Sequence, residues 1–147
     1  MNDKIMLSPH FSLEEMTRSA TAERLGIDNT PNEQQVNNLR FMCHTVLEPL
    51  RAAMGTPIYI NSAYRSEELN MRLHNAAWNS MHLQGLAVDL RIKDVETGRK
   101  YFRWLINNLD LDQVLFEFNR RTHSMWLHVS NRRSGNRHQY FPNYIVK

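Results

Sequence analysis

Apolar residues recur along this chain with two different periods, and the switches between them divide it into elements. Val36, Leu39, Cys43, Val46, Leu47, Leu50 and Met54 fall three or four residues apart, the stripe of one long helix. Thr30-Pro31-Asn32-Glu33 supplies its start, with Thr30 as N-cap, Pro31 at the first helical position and Glu33 at the third. Gly55 and Pro57 stop it, and Pro49 inside it should bend it. Asp94 caps a second helix to about Leu109. Two shorter ones follow serines. Ser12 and Glu15 form a capping box ahead of a helix to about Arg18, and Ser66 caps Glu67 to Leu73.

Elsewhere the period falls to two. Ile58 to Ser62 reads as a strand. Across Leu86 to Ile92, Leu86, Val88 and Leu90 oppose Ala87, Asp89 and Arg91. Across Gln113 to Phe118, Val114, Phe116 and Phe118 oppose Leu115 and Glu117. Met125, Leu127 and Val129 then oppose Trp126, His128 and Ser130, so the last two strands should form a hairpin. The expected fold is a small α+β single domain over residues 1–147, a central antiparallel sheet flanked by helices. No internal repeat or low-complexity linker interrupts it.

These strand faces carry the candidate chemistry. Asp89, Glu117 and His128 each lie opposite their strand's aliphatic set, and His82 stands just ahead of the first of them, in Ser80-Met81-His82-Leu83-Gln84-Gly85-Leu86-Ala87-Val88-Asp89. Polar residues on a strand's second face ordinarily meet solvent. A cleft shared by the three strands would instead gather all four. Two imidazoles and a carboxylate make a full protein ligand set for a catalytic zinc, whose bound water ionises near neutral pH.

Composition narrows the picture little. The aromatic and charged fractions are ordinary for a globular protein, and no apolar run is long enough to span a bilayer. The first ten residues lack a basic start followed by a sustained apolar run, so no signal peptide is expected. The single cysteine, Cys43, excludes an internal disulfide and reads as a buried, inert thiol in the helical stripe. The net charge is only +3, with basic residues gathered in Arg120-Arg121 and Arg132-Arg133 to Arg137-His138. That end suits an anionic partner such as a wall polymer; with no recognised binding motif or strong charge excess, nucleic acid is not expected.

Several segments, in order and spacing, resemble one family. They are Leu7-Ser8-Pro9-His10-Phe11-Ser12-Leu13-Glu14-Glu15-Met16, Leu47-Glu48-Pro49-Leu50-Arg51, Ile60-Asn61-Ser62-Ala63-Tyr64-Arg65-Ser66, Ser80-x-His82-x-x-Gly85-x-Ala87-x-Asp89 and Trp126-Leu127-His128-Val129-Ser130. The chain resembles the M15 peptidases, zinc-dependent D-Ala-D-Ala carboxypeptidases and peptidoglycan endopeptidases. Within them it is most similar to the small branch found in bacteriophages and prophages. The resemblance implies the fold shared with the Hedgehog signalling domain, and one zinc ion per chain held by His82, Asp89 and His128. It implies that Arg65 holds a substrate carboxylate or the developing oxyanion, and that Ser80 orients His82. Many relatives carry an acidic general base three positions before the last histidine ligand; here that position is Met125, and Glu117 on the neighbouring strand is the expected substitute. His74 and Trp78 in the polar loop His74 to Met81, and Trp126 beside His128, are the remaining candidates for the substrate cleft.

The implied activity is hydrolysis of peptide bonds in peptidoglycan stem peptides by a monomeric, endolysin-type endopeptidase. Such an enzyme would reach the wall through holin-type release or on a virion. Two alternatives stay open: a D-Ala-D-Ala carboxypeptidase, and a zinc-stabilised wall-binding module that has lost catalysis, which Met125 keeps in view.

Overall fold

The computed structural model describes residues 4–73 and 76–146, the side chains of 145 and 146 excepted. Strands β1 (Met6–Ser8) and β2 (Phe11–Ser12) form a small antiparallel pair that leads into helix α1 (Leu13–Thr17). Both bonds of the Ser12–Glu15 capping box are made. Helix α2 (Ala20–Leu25), which the hydrophobic pattern does not signal, is capped by Ser19 and ended by Gly26.

The long helix starts differently from the expectation. Asn32, not Thr30, is the N-cap of α3 (Glu33–Met42), in a reciprocal capping box with Gln35. Thr30 instead folds back on Asp28, which accepts bonds from both its backbone N–H and its hydroxyl. Downstream, Pro49 is absorbed without ending the helical path. A π-helical turn, Cys43–Leu47, separates α3 from α4 (Glu48–Met54), and the Glu48 N–H reaches back five residues to Cys43 O. Proline has no N–H to donate and its ring crowds the carbonyl four residues before it; widening the preceding turn relieves both conflicts. Leu39, Met42, Cys43, Val46, Leu47 and Leu50 are fully buried along this path. Burial pushes the Cys43 thiol up to about 12, consistent with an inert core cysteine.

The main sheet has the order β3 (Ile60–Ser62), β4 (Ala87–Arg91), β6 (Met125–Ser130), β5 (Gln113–Asn119), β7 (Gln139–Val146). Helix α5 (Glu67–Arg72) follows β3, and α6 (Val95–Asn108) joins β4 to β5. The β5–β6 hairpin and the antiparallel β3–β4–β6–β5 pairings agree with the expected α+β class. The hairpin is not the end of the sheet, however. β7 follows it and lies parallel to β5, with an extra residue opposite Leu115–Glu117. That bulge falls at Pro142-Asn143, and an edge strand with a bulge is where a sheet tolerates proline.

One face of the sheet is core. Val88, Leu90, Leu127, Val129, Val114 and Phe116 pack with the α3–α4 stripe and with Phe102 and Leu105 of α6. Gly98 permits the α6 contact, since a Cβ there would lie 2.6 Å from the Phe116 ring. The opposite face carries Asp89, His128, Leu115 and Glu117 and forms the floor of a cleft of about 600 Å³. Among the described residues, no helix is long and apolar enough to cross a membrane.

Candidate metal centre

Three elements bring the candidate ligands together. Asp89 on β4 and His128 on β6 are directly opposed in the strand register, which puts both side chains on the cleft face. His82 comes from a one-turn 3₁₀ segment, Met81–Gln84, just before β4. Ser80 caps that turn by accepting the His82 backbone N–H; its bond is to the backbone of His82 and not to the ring. Gly85 closes the turn at φ +76°, and a Cβ there would lie 2.8 Å from Gln35 O. Gln35 and Asn38 of α3 donate to the Leu83 and Gln84 carbonyls, which pins the turn against the helix.

The imidazole of His82 is buried and set by the chain itself. Its Nδ1–H donates to Ala63 O at 2.6 Å, leaving Nε2 to face Asp89 Oδ1 at 3.4 Å. Sequence reasoning missed this carbonyl, because a backbone acceptor leaves no trace in residue type. His128 Nδ1 lies 2.9 Å from the same oxygen. The ligand atoms of His82, Asp89 and His128 all fall within 4.8 Å of one another.

A zinc ion fits this donor set. Tetrahedral bonds of about 2.0–2.2 Å place neighbouring ligand atoms roughly 3.3–3.6 Å apart, close to the observed His82–Asp89 spacing. With the His82 proton committed to Ala63, the Nε2 lone pair points at a carboxylate oxygen, an arrangement that a cation between them resolves.

Burial lowers the proton affinity of His82, against the pull of Asp89. Burial alone would raise Asp89, but the neighbouring imidazoles, His82 first, and the hydrogen bond with His128 hold it far below the usual carboxylate range. For His128 burial is outweighed by its bond to Asp89 and the charges of Asp89 and Glu117, and the net direction is up. Asp89 Oδ2 also accepts Arg65 Nη2 at 3.0 Å.

Arg65 lines the cleft but is partly committed. Its Nε donates to Ser62 Oγ and its Nη2 to Asp89; among the described residues Nη1 has no partner. Burial lowers its proton affinity, opposed by Asp89 and Glu117. Glu117 faces Trp126 across the β5–β6 register and accepts the indole N–H on Oε2 at 2.5 Å. Burial first, then the Asp89 charge, raises the proton affinity of Glu117, with His128, Trp126 and Arg65 opposing. Glu117, Trp126 and Ser80 all line the same cleft as the three ligands. Trp78 does not; it stands 86% exposed on the loop. His74 lies outside the described residues.

No curated protein matches the chain. A family model, described as Peptidase M15, matches residues 9–130, a span that holds every candidate ligand together with Arg65 and Glu117. The chain belongs to the Peptidase M15 family.

Proposed function

We propose that this protein is a zinc-dependent peptidase that cleaves peptide bonds in peptidoglycan stem peptides as an endolysin-type endopeptidase. The observation that carries the reading is the convergence of two ring nitrogens and a carboxylate oxygen on one point of a cleft floor that also holds Glu117. His82, Asp89 and His128 would hold the ion. When bound, zinc supplies Lewis acidity and makes water nucleophilic near neutral pH.

The remaining chemistry falls to the chain. The Trp126 indole occupies Oε2 of Glu117, which leaves Oε1 to take a proton from the attacking water and return it to the leaving amine. The raised proton affinity of Glu117 suits it to both transfers. Arg65 holds Asp89 in place and offers Nη1 to a substrate oxygen.

The preference for an endopeptidase over a carboxypeptidase follows the resemblance to the small phage-type branch; the Arg65 donors not used by Ser62 and Asp89 suit a substrate oxygen in either case. The test is Glu117→Gln, which keeps side-chain size. Hydrolysis of purified sacculi should fall on the order of 10²–10⁴-fold with metal content unchanged. Mass spectrometry of the wild-type fragments names the bond. A wild type that binds sacculi, holds zinc and releases no fragments would point to the non-catalytic binding module.

A further inference from the structure

The family match ends at Ser130, yet one end of the cleft is built by the segment after it. There Arg132, Arg137 and Tyr144 join Gln113 of β5 in the cleft wall. Beneath them lies Asp112, fully buried. Arg137 clamps Asp112 with Nε on Oδ1 at 3.0 Å and Nη2 on Oδ2 at 2.8 Å, and its backbone N–H adds a third bond. Ser130 Oγ donates to Oδ2.

The carboxylate of Asp112 is therefore satisfied before Arg132 is counted. Arg132 Nε lies 3.2 Å from Oδ1, but among the described residues this buried atom makes no hydrogen bond. Two guanidiniums share one carboxylate, and the surplus positive charge rests on the one without a directional partner. Asp110, on the far side of Arg132, pairs with His138. The Arg132 side chain is more than a third exposed and lines the cleft.

We infer that Arg132 is a specificity-determining residue that binds a carboxylate of the substrate peptide about two residues from the scissile bond. The spacing comes from the sheet. His128 is opposite Leu115, and Gln113, at the level of the Asp112 cluster, is two residues along the same strand, roughly 7 Å away. An extended peptide advances about 3.3 Å per residue, so a group at that level sits about two residues from the reacting carbonyl. A guanidinium there recognises a carboxylate by charge-assisted hydrogen bonds.

This inference rests on the proposed peptidase activity and can fail separately from it. The test uses zinc-loaded full-length protein and two stem peptides of a sequence that wild type cleaves. They are identical except that the carboxylate two residues from the cleaved bond is a carboxamide in one. In wild type the carboxamide should raise KM on the order of tenfold with kcat nearly kept. Arg132→Gln should raise KM by a similar factor for the carboxylate peptide and remove the discrimination. Arg132→Lys, which keeps the charge, should retain part of it, and it carries the test if the Gln variant does not fold. Arg133→Gln should change neither peptide, because that guanidinium lies over Phe41 and bonds Asn38. Equal KM for the two peptides with wild type overturns the inference and leaves the peptidase reading standing. So does full discrimination by Arg132→Gln. A wild type that neither binds nor cuts any stem peptide overturns both.

Discussion

Two buried aspartates sit in the same sheet region, each surrounded by basic side chains, and they do opposite things. Asp112 is met by guanidiniums, which carry donors and no lone pairs. Every contact it accepts is from a hydrogen-bond donor or a fixed positive charge, and the carboxylate is satisfied. Asp89 is met by Arg65 on one oxygen and by imidazoles on the other. An imidazole whose one nitrogen is bonded elsewhere turns a lone pair toward its neighbour, as His82 does. Closing Asp112 ties the C-terminal strand to the sheet, whereas Asp89 forms an open socket for a cation. Burial of a carboxylate does not distinguish a lock from a ligand; the lone pairs of its partners do.

Neutral substitutions at the two aspartates should have different consequences. Asp89→Asn keeps the shape but removes the charge. Zinc affinity should fall by more than the roughly 10–100-fold expected for loss of an outer partner of a metal ligand, read by competition with a chromogenic chelator. Asp112→Ala should leave folded protein binding one zinc, and should lower unfolding stability by about 2–3 kcal/mol. That is below the range for fully enclosed pairs, because both guanidiniums reach solvent. Loss of zinc in the Asp112 variant would erase the distinction.

The lock also has a pH signature. Burial alone would raise Asp112, but the bonds and charge of Arg137, joined by Arg132, pull it down to about 2. A carboxyl depressed by folding contributes stability that is complete above its unfolded value, near 4, and is lost as pH falls through about 2. The stability gap between wild type and Asp112→Ala, followed by chemical denaturation, should therefore shrink across that window. A gap that stays constant down to pH 2 would remove Arg137 as its cause.

A smaller effect tests the placement of His82. Gly85→Ala puts a Cβ at a positive φ and against Gln35 O, and should cost about 1–2 kcal/mol. Because the strain falls on the turn that carries His82, zinc affinity should drop with it. Unchanged affinity would show that the Ala63 carbonyl alone holds the ring.

The smallest effect concerns Glu117. Folding raises its proton affinity, so its ionised form opposes folding once pH exceeds the unfolded carboxylate range. Glu117→Gln should slightly raise the melting temperature of the metal-free protein at neutral pH, and not at pH values where Glu117 is protonated in both states. A lower melting temperature at neutral pH would mean that its bond to Trp126 outweighs the buried charge.

The parts of this molecule legible in its sequence are those where one face is buried and the other is not. β4, β5 and β6 alternate cleanly because each has its aliphatic side in the core, and that alternation put Asp89, Glu117 and His128 on a common face. β7 escaped because Pro142 and the bulge break the alternation, and because its parallel partner β5 is distant in sequence. The start of α3 was misplaced by two residues, since Thr30 and Asn32 are both good caps and only the folded turn at Asp28 decides between them. Of the site, side chains could be read, but the Ala63 carbonyl and the commitment of Arg65 to Ser62 and Asp89 could not. The Asp112–Arg137 clamp joins residues 25 apart with no motif between them.

The proposed activity depends on a zinc site formed by His82, Asp89 and His128. Its most direct test is X-ray absorption spectroscopy at the zinc edge on protein purified, dialysed against zinc and measured by elemental analysis. The expected result is about one zinc per chain, a shell of nitrogen and oxygen at roughly 2.0–2.2 Å, and two imidazole scattering paths that lose one member in His82→Ala and in His128→Ala. Zinc well below stoichiometry, or a spectrum unchanged in both variants, would contradict it.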